Sequence, residues 1–218
     1  MRTGNAEHYE KLTQEEKRMM TDSCQKRREE FAAGRHAAKT AVQKLSGHSF
    51  LGDAITIRYG EHGEPTAGDD ISLSISHDSG LAAAVCNFME AGASGIDIHS
   101  ISHEASEIKE SWLDGAEIAV LDCFDDTDIS YSLAWCAKES ASKVLLRGLA
   151  AISDIRIIDI VREQNDVYVD MLYQNEVYRA FVMRFGASLL SLCLEKSRAV
   201  TYENTIKSIM YDFQEGGL

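Results

Sequence analysis

Five residues near the middle of the chain have the types and spacing for chemistry on a charged substrate. Asp97 interrupts the apolar strand-like run "SGIDIHSI". A carboxylate buried there without a partner would cost several kcal/mol, so Asp97 must stand at the strand end, be paired, or hold a cation. Trp135, Glu139 and Lys143 in "WCAKESASK" are spaced by four and four, which stacks them on one helical face, with Lys138 on the flank. An adjacent cation keeps a carboxylate ionised. An ionised glutamate near a second carboxylate suits Mg²⁺, which takes few protein oxygens plus water and substrate phosphate. The same residues also read as an ordinary Glu–Lys pair beside a packed tryptophan.

A second set could bind an anion. Ser76 ends the alternating run "ISLSIS", which leads straight into His77, and both would project at the mouth of a sheet, where both can donate hydrogen bonds. Asp78 and Ser79 allow the alternative of a polar turn. Arg28 and Arg35 lie seven residues apart and Lys39 four further on, a cationic stripe suited to a phosphate ester or to pairing with nearby acids.

These groups need positioning elements. Residues 14–46 read as helix, in one piece or two, with Phe31, Ala38, Val42 and Leu45 as the apolar stripe and Gly47 as the stop. "DAITIRY" and "ISLSIS" read as strands, "GEHGEP" as a turn, and "GLAAAVCNF" and "GASGIDIHSI" as two strands of a hairpin. Residues 103–113 and 130–149 then read as helices. "ISDIRIIDIV", "DVYVDMLY", "EVYRAFVMRF" and "ASLLSLCLE" read as strands, with a hairpin around Gln174–Asn175, and a short helix follows Thr201. The order repeats, so the expected fold is α+β. Two pseudo-twofold-related lobes, residues 1–102 and 103–218, would each set a long helix on a small, mostly antiparallel sheet, with a ligand site at the junction.

Bulk composition narrows the function. The chain has 218 residues and a net charge of −13, which disfavours nucleic acid as a partner. The first 50 residues hold 10 Lys/Arg against 7 Asp/Glu, whereas residues 51–130 hold 2 against 17, so a basic segment precedes a very acidic one. No run approaches the ~20 apolar residues of a membrane span, and the first 20 residues lack a secretory signal's apolar stretch. Five scattered cysteines without CxxC spacing fit reduced thiols and a cytoplasmic location. Glycine-rich phosphate loops, GxSxG, HExxH and dinucleotide fingerprints are absent from the sequence.

Taken in order, "RREEFAAGRHAAKTAV", "GEP", "SISHDSGLAAAV", "GIDIHSI" and "WCAKESASKVL" resemble the 4′-phosphopantetheinyl transferase superfamily, over roughly residues 27–195. The likeness is to the larger, monomeric, pseudo-dimeric type that activates siderophore and surfactin synthetases. It implies a Mg²⁺-dependent transfer of the phosphopantetheine arm of coenzyme A to a serine of an acyl or peptidyl carrier protein, releasing 3′,5′-ADP. It also implies Asp97 and Glu139 as metal ligands, Glu139 or metal-held water as proton acceptor, and Lys143 on the transferring phosphate or leaving group. Lys138 would assist, and Arg28, Arg35, Lys39, His77 and Ser76 would hold the phosphates of coenzyme A. The sequence departs from the family pattern twice. His99 stands where a second acid is usual, a poor ligand for Mg²⁺ that points to two protein carboxylates or to Mn²⁺. Glu64 in "GEP" stands where a lysine is usual. A coenzyme A- or carrier-binding protein without transfer is the alternative that these departures motivate, and a metal-dependent phosphoester hydrolase is a third.

Overall fold

The computed structural model describes residues 6–47, 55–163 and 166–216. The chain forms two compact units, one ending at Ser94 and the other beginning at Gly95.

In the first unit, α1 (Ala6–Glu10) and α2 (Gln14–Arg18) precede the 22-residue α3 (Gln25–Ser46), so the predicted helix comes in two pieces. Gly47 closes α3 in the left-handed conformation, φ 66°. Strands β1 (Arg58–Tyr59) and β2 (Pro65–Thr66) pair antiparallel, as do β3 (Ile71–Asp78) and β4 (Leu81–Phe88). The predicted strand at "DAITIRY" is confined to Arg58 and Tyr59. Residues 55–57 are not strand, and residues 53 and 54 lie outside the described ones. Ala38 of α3 packs with Ile57, Leu73, Ile75 and Ala84 to make the core.

The second unit begins with β5 (Ser94–Ser100), continues through α4 (Glu104–Glu107) and α5 (Gly115–Leu121) and reaches α6 (Thr127–Val144). Asp126 caps α6 by accepting the Ile129 amide at 3.1 Å. Strands β6 (Arg156–Glu163), β7 (Asp166–Tyr173), β8 (Glu176–Phe185) and β9 (Ser188–Glu195) form an antiparallel meander, and α7 (Lys196–Thr201) and α8 (Glu203–Gly216) follow. The sheet order is β5-β9-β8-β7-β6. Leu133, Ala137 and Ala141 of α6 are buried against Val169, Met171, Val182 and Leu189 of this sheet. The α+β expectation is met.

One pairing differs from expectation. "GLAAAVCNF" was expected to make its hairpin with the strand of Asp97, but it pairs with "ISLSISHD" through the two-residue turn Ser79–Gly80. Both turn residues have positive φ, 48° and 81°, which a tight two-residue turn accepts. The Asp97 strand instead lies beside β9, so it belongs with the second unit.

Each unit is locked by a buried lysine–glutamate clasp of the same design. In the first, Thr13 caps α2 and Glu16, at the third helical position, completes a capping box. Glu16 Oε2 accepts the Thr13 amide at 2.8 Å and Oε1 accepts the Ile57 amide at 3.0 Å. Lys39 Nζ of α3 meets Glu16 Oε2 at 2.6 Å and the Lys11 carbonyl at 2.9 Å. In the second, Asp114 caps α5 and Glu117 completes the box. Glu117 Oε2 accepts the Asp114 amide at 2.9 Å and Oε1 the Ile157 amide at 2.7 Å. Lys138 Nζ of α6 meets Glu117 Oε1 at 2.8 Å and the Trp112 carbonyl at 3.0 Å. Both glutamates and Lys138 are essentially inaccessible to solvent, so each charge depends on these bonds.

Candidate functional site

Gly95 lets α6 approach β5 closely: a Cβ there would lie 2.0 Å from the Ser140 carbonyl oxygen. That contact brings the Asp97 strand to the helix face carrying Trp135, Glu139 and Lys143. Asp97 is 2% exposed. Lys143 Nζ donates to Asp97 Oδ1 at 2.7 Å and to the Ile96 carbonyl at 2.9 Å. Trp135 Nε1 donates to Glu139 Oε2 at 3.1 Å. Burial first, and then the charge of Asp97, push the Glu139 carboxyl up to about 7, against the opposing pull of Lys143. The structure therefore places Asp97, Glu139 and Lys143 together: the ammonium pairs with Asp97 and its charge also reaches Glu139.

His99 stands two residues beyond Asp97 on the strand, and its ring lies 6.3 Å from that of Trp135. Among the described residues no three His, Cys, Asp or Glu side chains converge to hold a metal ion. Hard oxygen donors from two carboxyls still match what Mg²⁺ takes from a protein when substrate phosphate and water supply the rest. Burial and the neighbouring charge of Asp97 both disfavour the ionised form of Glu139, and a cation beside the two carboxyls would oppose both effects. Cys136 sits behind the pair, its Sγ 3.6 Å from the Asp97 carbonyl, and burial drives its thiol far above the usual range.

The first unit contains a cavity of about 160 Å³ whose lining includes Arg27, Glu30, Arg35, Tyr59, Pro65 and His77. The Arg35 guanidinium lies 4.5 Å from the Phe31 ring centre and 4.8 Å from that of Tyr59. It is 5% exposed, and its Nε and Nη2 have no hydrogen-bond partner among the described residues. Burial lowers its pKa, so an anion in the cavity would answer both its charge and its donors. His77 stands between Arg27 Nη1, 3.3 Å from its Nε2, and Glu30 Oε2, 3.8 Å from its Nδ1.

Other expected contacts lie elsewhere. Lys39 and Lys138 are the clasp lysines, and their ammonium groups are held inside their own units. Burial lowers the Lys138 pKa against the raising effect of Glu117. Arg28 is exposed, bonds the Thr21 carbonyl at 2.9 Å and does not line the cavity. Ser76 is buried and also stands outside the lining, because successive strand residues face opposite ways. Glu64 folds back onto its own turn, accepting the His62 amide at 2.9 Å, while Pro65 beside it lines the cavity.

Sequence reasoning passed over Arg27, Tyr59, Trp112 and Glu117. A signal for the last two existed. "KLTQEE" and "WLDGAE" share a leucine, a capping residue and a glutamate three positions later, the capping-box pattern in duplicate.

Residues 15–87 match the family model of the 4′-phosphopantetheinyl transferase N-terminal domain, and residues 93–183 match that of the 4′-phosphopantetheinyl transferase superfamily. The two matches meet close to the boundary between the units and between them span most of the chain. No curated protein matches the chain. Among the described residues, no helix is long and apolar enough to cross a membrane. The chain belongs to the 4′-phosphopantetheinyl transferase superfamily, whose members move the phosphopantetheine arm of coenzyme A onto carrier proteins and generally use a divalent metal.

Proposed function

We propose that the protein is an active transferase that carries the 4′-phosphopantetheine arm of coenzyme A to a serine hydroxyl of an acyl or peptidyl carrier protein. The observation that carries this reading is the Asp97–Glu139 carboxyl pair beside Lys143, inside the segment that matches the superfamily. Asp97 and Glu139 would hold Mg²⁺, or Mn²⁺ in its place, and a metal bound there would offset negative charge on the pyrophosphate oxygens. The serine oxygen forms a bond to the β-phosphorus as the bond to 3′,5′-ADP breaks. Glu139, or water held by the metal, would take the serine proton. Lys143 is placed to stabilise charge on the transferring phosphoryl group or on the leaving oxygen. Arg35, Arg27 and His77 supply donors and positive charge for the phosphates of coenzyme A. The working unit is a single chain, and the reaction belongs in the cytoplasm.

The place of His99, with no third ligand converging among the described residues, favours one rival, a protein that binds coenzyme A without transferring from it. Mass spectrometry of several apo carrier proteins, incubated with coenzyme A and millimolar Mg²⁺ or Mn²⁺, separates the two. Addition of the arm to a carrier serine is the expected result. Tight coenzyme A binding with every carrier unmodified selects the rival, and coenzyme A cleavage without a carrier selects a hydrolase.

A further inference from the structure

The lysine–glutamate clasp occurs in both units, so by itself it is a device of the fold. What is attached to it differs. In the second unit Lys138 binds the Trp112 carbonyl and lies 5.5 Å from the centre of that residue's ring. The Trp112 ring meets Trp135 edge to face, with centroids 5.1 Å apart and planes at 89°. Trp135 then donates its indole N–H to Glu139 Oε2. In the first unit the matching places hold Lys11 and His36, which also touch, with Nζ 3.4 Å from Nε2. One turn beyond His36 stands Thr40, whose hydroxyl turns back to the His36 carbonyl at 2.9 Å. The contact is part of the repeated frame, but only in the second unit does it end on a carboxylate.

We infer that Trp112 and Trp135 are positioning residues: the clasp fixes Trp112, Trp112 fixes the ring of Trp135, and the indole N–H of Trp135 holds one oxygen of Glu139 toward Asp97. The inference rests on the role given to Glu139 above. A glutamate side chain has three rotatable torsions, and one half-buried beside another carboxylate has every electrostatic reason to swing toward water. A donor on a rigid ring, itself held by a second ring at right angles, opposes that swing. Outer partners of this kind orient metal-binding carboxylates in general.

The chain has two tryptophans, so protein labelled with ¹⁵N shows one indole N–H signal from each, and Trp135→Phe assigns them. Glu139→Gln is expected to move the Trp135 signal far more than the Trp112 signal. Mn²⁺ added with coenzyme A is expected to broaden the Trp135 signal first. Trp135→Phe keeps an aromatic ring and removes the indole donor together with part of the ring's volume. It should bind Mn²⁺ by calorimetry roughly tenfold or more weakly and lose kcat by a similar factor, with KM for coenzyme A unchanged. Trp112→Leu should act in the same direction, and Trp112→Phe should restore most of the loss. A Trp135 signal indifferent to Glu139→Gln, or a Trp135→Phe protein with native Mn²⁺ affinity and kcat, overturns the inference. If the native protein modifies no carrier, the transferase reading falls, while the indole signals and the Mn²⁺ titration still decide the positioning claim.

Discussion

One turn before its clasp lysine, the long helix of the first unit carries Arg35, buried against two rings with two nitrogens unanswered among the described residues. The matching residue of the second unit is Ala134, and there the charge assigned to the proposed site stands one residue after the clasp lysine, at Glu139. The first unit thus keeps a cation with two donors that find no acceptor among the described residues, and the second keeps two carboxyls beside the one ammonium of Lys143. Both arrangements are unfavourable in isolation. The lysines and glutamates that could have neutralised them are committed to the clasps, which hold the helices while these other charges stay available to a ligand. A repeated frame with opposite charges at matching places agrees with the proposed use of coenzyme A, a polyanion, together with a divalent metal.

The sharpest way to break this comparison is to remove the clasps. Lys39→Met and Lys138→Met each strand a buried glutamate and should each cost about 3–5 kcal/mol in urea unfolding. If either lysine served coenzyme A instead, its loss would weaken binding and leave stability intact. Next is Gly95→Ala, which sets a Cβ against the Ser140 carbonyl and must push strand and helix apart. A cost of about 1–3 kcal/mol is expected, with a larger loss of transfer than of stability, because Asp97 shifts relative to Glu139. Arg35→Met should weaken coenzyme A binding by about 1.5–3 kcal/mol in calorimetry without lowering the unfolding midpoint.

The last effect is on pH. The Glu139 carboxyl is raised to about 7 in the fold from an ordinary value of 4.5, so the native protein holds a proton that the unfolded chain has released. Its contribution to stability is therefore complete below pH 4.5 and is lost as pH rises through 7. In metal-free protein, Glu139→Gln should remove that slope and be more stable than the native chain at pH 8 by about 2 kcal/mol. Identical pH profiles for the two proteins would mean that neither burial nor Asp97 raises the Glu139 carboxyl.

Much of this was legible in the sequence. The α6 face of Trp135, Glu139 and Lys143 follows from helical spacing, and "ISLSIS" and the four late strands follow from alternation. The partner of the Asp97 strand did not, since periodicity finds strands and says nothing of their neighbours. Lys39 and Lys138 show the harder limit. A lysine on a helix reads as a surface or ligand group, and only the glutamates far away in the chain make it a core residue. Arg28 and Arg27 differ by one position, about 100° around the helix, and only the tertiary structure shows which of them faces the cavity.

The most direct test pairs two measurements on one preparation of Glu139→Gln: coenzyme A affinity by calorimetry in the absence of metal, and single-turnover transfer to an apo carrier protein in its presence. Native affinity with transfer reduced by about 10²–10⁴ is the predicted result. A Glu139→Gln protein that modifies the carrier at the native rate would contradict it.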